Sequence, residues 1–551
     1  MAHGWVLLEM WKGGMEVIMP DGSQPSTRAR AQGSQSAPAD WESAPKRFPR
    51  VYPRCGLRPR HGSSDHFPNA LPLAASFALF VVAAWVRLRA LQESPYPTGI
   101  DGYWYLIQVR SLLERGHLYF PSAPLVPWLM AAASLLLGPV LAVKTIAAVG
   151  SAMLVVPSYA VAKRVSGERG PALLGAALVA TSAQSFFLCT EFVKQAVGLT
   201  LAVGFAAALA AVLDRPGKTR VSVAAALLVA CALAHKTALG LALLLTGPPL
   251  AAVLWRNRGS AVVRIGLGAA CVCAAAAAWA ARNALAPLGG LFHRSADFTF
   301  ALLNTPGRIP LVLGHEVALA AVLAAVALAF SLLRKPADGP RLPVLAVGFI
   351  GFALFQALPW LNIADDQGLG YRLRLCACVC LAPCSALVAV QILRTARPAT
   401  RTVLLASLIC GVLAIRPWHS GEGVIKAHPA MVEATARLDG VLPPEAVVVV
   451  PERHTAFMAT WYGRVNARLH PPEVANASRT FRLLPGAAIR PGLWAALDRL
   501  RAHPVAGIAP SLDLHSLHPN GLVLLSENTF QYLISELPEF EQQWYKRWVV
   551  Q

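Results

Sequence analysis

The sequence predicts an α-helical polytopic membrane protein of about eleven spans with a small C-terminal α/β domain. Three observations lead there. Long apolar runs alternate with short basic loops from Leu71 almost to Pro417. Hydrophobic residues make up 55% of the 551 and charged ones only 14%, with a mean hydropathy of +0.49, a balance foreign to soluble domains of this size. After Arg416 the composition turns water-soluble.

Residues 1–67 are rich in Pro, Ser, Gly and Arg, with Lys46, Arg47, Arg50, Arg54, Arg58 and Arg60 bunched before the first span. They read as a disordered basic cytoplasmic tail, without the charged start, apolar stretch and cleavage site of a secretory signal. The formal net charge of +20 would suggest nucleic acid in a soluble protein. Here most of it lies in clusters between spans, where it reads as topology, and no nucleic-acid partner is expected.

Residues 68–417 form the multi-spanning domain, beginning with the span Leu71 to Leu91. Basic clusters recur at Lys163/Arg164/Arg169, Arg215/Lys218/Arg220, Arg256/Arg258/Arg264, Arg334/Lys335/Arg341 and Arg394/Arg397/Arg401. Lys and Arg favour the cytoplasmic side, and each interval holds enough apolar residues for a hairpin whose tip faces outward. Those tips are TEFVKQ around Glu191, AHKTA around His235, GGLFHRSADFTFALLNTPGRIP, and NIADDQGLGYRLR around Asp365. A crossing at Ala123 to Gly138 would invert every later loop, so that segment reads as a juxtamembrane or re-entrant helix, with Val143 to Val161 as the second span. The N-terminus is then inside and the C-terminus outside.

Residues 418–551 read as an extracytoplasmic α/β domain. LPPEAVVVVPER, VAGIAPSL and GLVLLSENTFQYLI resemble buried strands, alternating with helices such as GLWAALDRLRAH. The cysteines of the apolar runs are expected to act as small hydrophobes. In CACVC, residues two apart on a helix point in different directions, so Cys376, Cys378 and Cys380 cannot converge on one ion.

Several segments together carry a family likeness. An Asp in GIDGYWY follows the first span, an amphipathic YWYLIQVRSLLERG comes next, then PLVPWLMAAASLLLG, and a long span closes on AVAKRVSGERG. This stretch, roughly Leu71 to Leu213, resembles the N-terminal module of GT-C glycosyltransferases, which transfer sugars from polyprenyl-phosphate carriers. They include protein O-mannosyltransferases, the lipid A aminoarabinose transferase and the oligosaccharyltransferase catalytic subunit. That pattern also has a second acidic residue in the outer loop between the third and fourth spans, a position that Glu191 of TEFVKQAVGL matches. The chain departs from the pattern in two places. Its first outer loop carries the single Asp101 instead of paired acids, and TWYGRVN near Trp461 only superficially echoes the WWDYG motif. Glycosylation of Asn-X-Ser/Thr sequons is therefore not expected.

The resemblance implies a lipid-linked sugar donor and a protein, lipid or glycan acceptor. Such a transfer needs a base for the acceptor proton and cations for the departing phosphate. Asp101 is the expected base. Glu191 would orient the acceptor, or share a divalent Mg²⁺ or Mn²⁺ with Asp101. Lys144, Arg372 and Arg374 are candidate phosphate clamps, against the alternative that each only snorkels to headgroups. His235, with Lys236, either overlies the site or caps a tight hairpin. Asp365 and Asp366 read as turn residues or metal ligands, and His293, Arg294 and Asp297 sit on a loop long enough for an acceptor lid. Two other classes stay open, a transporter or flippase and a polysaccharide polymerase or ligase. The first would show an internal repeat with broken spans at matching places in two halves, and no such symmetry is visible.

Overall fold

The computed structural model describes residues 70–99, 101–256, 311–333, 342–357, 369–394, 396–415, 429–440, 442, 446–450, 453–468, 480–485, 489–505, 512–513 and 522–550. The expectations for the N-terminal tail, for His293, Arg294 and Asp297, and for Asp365 and Asp366 lie outside the described residues.

The first span is helix α1 (Ala70–Gln92), as expected. A Thr-Gly turn leads to the amphipathic α2 (Gly102–Arg115), whose Tyr103 to Val109 are all buried, and then to α3 (Leu125–Leu137). At thirteen residues α3 is about 20 Å long, too short to cross, which agrees with a segment that does not span. Pro139 opens α4 (Pro139–Ala152), which continues through a turn at Met153 and Leu154 into α5 (Val155–Ser166). Together they make one 28-residue apolar span.

Helices α6 (Arg169–Ala180) and α7 (Ala183–Glu191) are bent by 43° at Thr181 and Ser182. The hairpin tip expected at Glu191 is therefore the single residue Phe192, and Glu191 is the buried end of a helix instead of a loop residue. After it come α8 (Val193–Asp214), α9 (Lys218–Ala234), α10 (Lys236–Arg256), α11 (Leu311–Leu333) and α12 (Val344–Gln356). The short α13 (Leu369–Arg374), α14 (Cys378–Leu393) and α15 (Pro398–Ile415) complete the apolar part.

Six of these helical stretches are long and apolar enough to cross a membrane, or seven if the bent pair is one span. The chain is thus a multi-pass α-helical membrane protein, but the eleven expected crossings are not reached among the described residues. Part of the shortfall is one of length: α9 has 17 residues, α12 has 13, and the apolar part of α15, Pro398–Ala414, falls in the same short class, while the crossing expected just after Arg264 lies outside the described residues. A hydrocarbon core of about 30 Å asks for about 20 residues of helix.

The bundle core is built around α14, buried along almost its whole length, with α6, α5, α11 and α12 around it. Small residues allow the close approach: a Cβ on Gly175 would meet the Ala382 backbone 2.6–3.0 Å away, so α6 and α14 pack backbone to backbone. Cys376, Cys378, Cys380 and Cys384 all lie in this core as small apolar groups. Apolar side chains such as Trp85, Leu136 and Leu333 cover the outside, as lipid-facing residues should.

Two ends of the bundle can be told apart along α8. At its C-terminal end Asp214 pairs with Arg164, and near that loop Glu168 pairs with Arg401. Three of the basic clusters therefore share one end. Lys194 lies twenty residues earlier on the same helix, about 30 Å away, at the end where the candidate site forms.

The C-terminal segment begins with α16 (Pro429–Ala436) and holds a five-stranded sheet in the order β2-β1-β3-β5-β4. Strand β1 (Val447–Val449) runs parallel to β2 (Asn466–Arg468) and β3 (Thr480–Pro485), while β5 (Leu522–Ser526) runs antiparallel to β3 and β4 (Leu512–Asp513). Alternation along the strands sends Val448, Leu483 and Leu524 to one face and Leu484, Val523 and Leu525 to the other. Helices α16 and α17 (Arg453–Tyr462) cover the first face. Helices α18 (Pro491–Ala502), α19 (Glu527–Ser535) and α20 (Glu539–Val550) cover the second. The strand expected through SENTFQYLI stops at Ser526, because that side chain accepts the Thr529 amide at 3.1 Å and starts α19.

Candidate functional site

Asp101 holds the N-cap position of α2, yet its carboxylate makes no capping hydrogen bond. Its Oδ1 is buried and accepts no hydrogen bond among the described residues, and Arg453 Nη2 stands 3.8 Å away. The turn before it is fixed by Gly99, whose φ of +76° suits glycine and where a Cβ would drive into the Thr190 carbonyl. The same Cβ would lie 3.4 Å from Glu191 Oε1. The turn before Asp101 and the end of α7 are thus pressed together, which sets Glu191 against the turn two residues before Asp101. Glu191 is only 6% exposed.

Around these acids stand more cations than carboxylates. Lys194, one turn after Glu191, donates to Ser122 Oγ at 2.8 Å and lies 4.2 Å over the Trp104 ring. It is within electrostatic reach of Asp101, Arg372, Arg453 and Lys236. Arg372 lies over Phe192 at 4.9 Å and Arg453 over Phe457 at 5.1 Å. Each cation rests on an aromatic face, which helps hold it in place. Tyr105 is buried beside them and accepts the Lys194 amide at 3.2 Å. Burial first, then the Asp101 charge, push this phenol well above its usual range, so it stays protonated.

His235 ends α9 and caps the turn into α10. Its Nδ1 accepts the Thr237 amide at 3.2 Å and contacts the Thr237 hydroxyl, which places the ring proton on Nε2 and caps the start of α10. Burial, and then the positive charges of Lys194, Arg372 and Lys236, depress the ring to about 3, so it is neutral at physiological pH.

The other two candidate clamps are not drawn into this cluster. Lys144 is buried and donates to the Ser94 carbonyl at the end of α1, beside an open cleft lined by Gln92, Pro95 and Gly138. Arg374 shares α13 with Arg372 but is not among the charges felt by Tyr105, Lys194 or His235. Helix α13 itself is tied to the site by Gln195, which donates to the Arg372 carbonyl at 2.8 Å, and by Gln356, which donates to the Leu373 carbonyl at 2.7 Å.

Arg453 was not foreseen, and it comes from the C-terminal segment. Helix α17 starts just beyond β1 and packs against α2 through Tyr103, which meets His454 and Tyr462 edge-on at 5.2 and 5.5 Å. Arg110 fixes the far end of α17, donating to the Thr460 and Trp461 carbonyls at 2.9 and 3.0 Å. A cation there meets the negative end of the helix dipole. Residues of the water-soluble segment thus roof a site whose floor is the membrane bundle. A helix beginning directly at a strand end was the available signal, but an arginine in a soluble stretch is too common to stand out.

Among the described residues the donors gathered here are few for a Mg²⁺ or Mn²⁺ ion. Asp101 and Glu191 supply oxygens, but Lys194, Lys236, Arg372 and Arg453 already give the surroundings a positive surplus, and hard cations seek six or more oxygen ligands. Among the described residues no three His, Cys, Asp or Glu side chains gather at one point. The arrangement brings a buried carboxylate oxygen of Asp101 near several cations set among aromatic rings. No family model and no curated protein matches the chain.

Proposed function

We propose that this protein is a membrane glycosyltransferase of GT-C type that moves a sugar from a polyprenyl-phosphate carrier to an acceptor hydroxyl. The observation that supports it best is a buried Asp101 oxygen that accepts no hydrogen bond among the described residues, set near cations held on aromatic faces. Asp101 takes the acceptor proton as the acceptor oxygen bonds to the anomeric carbon. The bond from that carbon to the phosphate oxygen breaks, and its electron pair leaves on the phosphate. Lys194, Arg372 and Arg453 stabilise that charge in a site shielded from water. Glu191 orients the acceptor, and the isoprenoid tail stays in lipid along the apolar helices.

In this reading the basic end of the bundle is cytoplasmic, and the site and C-terminal segment face the other side, as an extracytoplasmic domain. A cysteine placed at Lys218 should then escape a membrane-impermeant reagent in intact cells while one at Arg499 reacts. The reverse labelling would overturn the orientation. The activity itself is tested by incubating purified protein with radiolabelled polyprenyl-phosphate sugars and scoring which is consumed. If every donor survives at the wild-type site, the transferase reading falls.

A transporter or flippase is the second reading, favoured by the broken pair α6–α7. Against it, the polar groups at that break are consumed inside the fold. A polysaccharide polymerase or ligase differs only in the acceptor, and the same donor panel with glycan acceptors separates it.

A further inference from the structure

Two charged side chains lie deep in the apolar bundle and play no part in the site. Arg87 of α1, 1% exposed, donates Nη1 to Ser151 Oγ at 3.0 Å and Nη2 to the Ala180 carbonyl at 3.3 Å. Ala180 is the last residue of α6. Glu316 of α11, 3% exposed, grips the other side of the same break. Its Oε2 accepts the Ser182 hydroxyl at 2.6 Å and the Gln184 amide at 3.2 Å, and its Oε1 accepts the Ala183 amide at 2.9 Å.

A cation therefore meets the negative end of one half-helix and an anion the positive end of the next. Hydrocarbon supplies no water to satisfy those end groups, so a break without such partners would be costly. The two residues are also within reach of each other's charge. Beyond the break, α7 is nine residues long and buried throughout. Gln184 locks it sideways by accepting the Cys378 amide at 3.0 Å. Its far end is Glu191, pressed against Gly99.

We propose that Arg87 and Glu316 are positioning residues: they clamp the two ends of the broken span so that α7 holds Glu191 against the turn before Asp101. The clamp itself is independent of the proposed function, and only the consequence for turnover rests on the glycosyltransferase reading.

The test is hydrogen exchange of the full-length protein in lipid nanodiscs, read on peptides covering residues 183–191, together with turnover of a polyprenyl-phosphate sugar. Glu316→Gln should speed exchange of the Ala183, Gln184 and Ser185 amides about tenfold, the scale of a lost cap, with other helices unchanged. In turnover it should lower kcat and leave the KM for donor alone, a split that general loosening would not produce. Arg87→Lys, which retains a cation for the Ala180 carbonyl, should restore most of the protection that Arg87→Met removes.

The exchanged pair Arg87→Glu with Glu316→Arg separates the clamp from an ordinary ion pair. Helix ends have fixed polarity, so the exchanged pair should be worse than either single change, and recovery of wild-type protection would overturn the proposal. Where that pair fails to fold, Arg87→Met with Glu316→Gln serves instead: wild-type protection in this neutral pair would equally overturn it. Faster exchange with unchanged kcat would remove the link to Glu191. A wild type that turns over no donor refutes the glycosyltransferase reading alone, since exchange still decides the clamp.

Discussion

The two ends of the bundle handle charge in opposite ways. At the basic end, loops far apart in the chain meet through opposite charges, Arg164 with Asp214 and Arg401 with Glu168, and these side chains remain 26–48% exposed. At the site end, Lys194, Arg372 and Arg453 rest on Trp104, Phe192 and Phe457. Exposed ion pairs of this kind contribute about 0–1 kcal/mol each. The cations on aromatic faces are held by cation–π attraction, and of these Arg453 also faces Asp101 at 3.8 Å. The difference teaches that the surroundings of a cation, more than the number of cations, distinguish the two ends.

The comparison breaks most visibly at Asp101. Asp101→Asn should keep the fold and donor binding while turnover falls by about 10²- to 10⁴-fold, as for a lost general base. Wild-type rates in that variant would remove Asp101 from the mechanism. A charge-conserving change sharpens the contrast between the ends. Arg372→Lys should weaken donor binding or turnover by about tenfold, because an ammonium cannot reproduce the planar fork. Arg394→Lys at the basic end should leave both untouched. Equal donor dependence in the two variants and the wild type would sink the clamp.

Acid should act on the site end through His235. Its ring sits near 3 in the fold against 6.5 in the unfolded chain, so between those values the unfolded state binds the proton more readily. The stability from keeping the ring neutral is whole above about pH 6.5 and is lost as pH falls toward 3. Thermal unfolding of His235→Gln in detergent should therefore decline less between pH 7 and pH 5 than that of the wild type. An equal decline would show that His235 is not the group responsible. The smallest effect belongs to the basic end, where Arg164→Ala should cost about 0.2–1 kcal/mol in unfolding experiments and no turnover. A large kinetic loss there would erase the distinction between the ends.

Much of this layout was legible from patterns that physics makes strict. A span must be long and apolar, so Ala70–Gln92 stood out, and loops must be polar, so Asp101, Glu191, His235 and Arg372 were noticed where the chain leaves the apolar runs. Span counting failed where helices such as Val344–Gln356 are apolar but short, since hydropathy reports composition before length. Lys194 lies three residues from Glu191 in TEFVKQ, which reads as a loop in the sequence but is the first turn of a helix in the structure. Arg87 and Glu316 were missed for a deeper reason. A lone charge inside an apolar run looks like noise in a window average, whereas inside hydrocarbon it is too costly to lack a partner.

The grip of Arg110 on α17 spans 351 residues of chain, which sets a timetable for biogenesis. At about 5–20 residues per second, synthesis leaves α2 waiting roughly 20–70 s for its covering helix. During that interval Tyr103 and its neighbours lie at the membrane surface as an uncovered aromatic face, open to whatever insertase or chaperone attends the nascent chain. A ribosome stalled before Arg453 would leave a protein already embedded in lipid yet without its roof, a species that quality control could recognise by that bare patch alone.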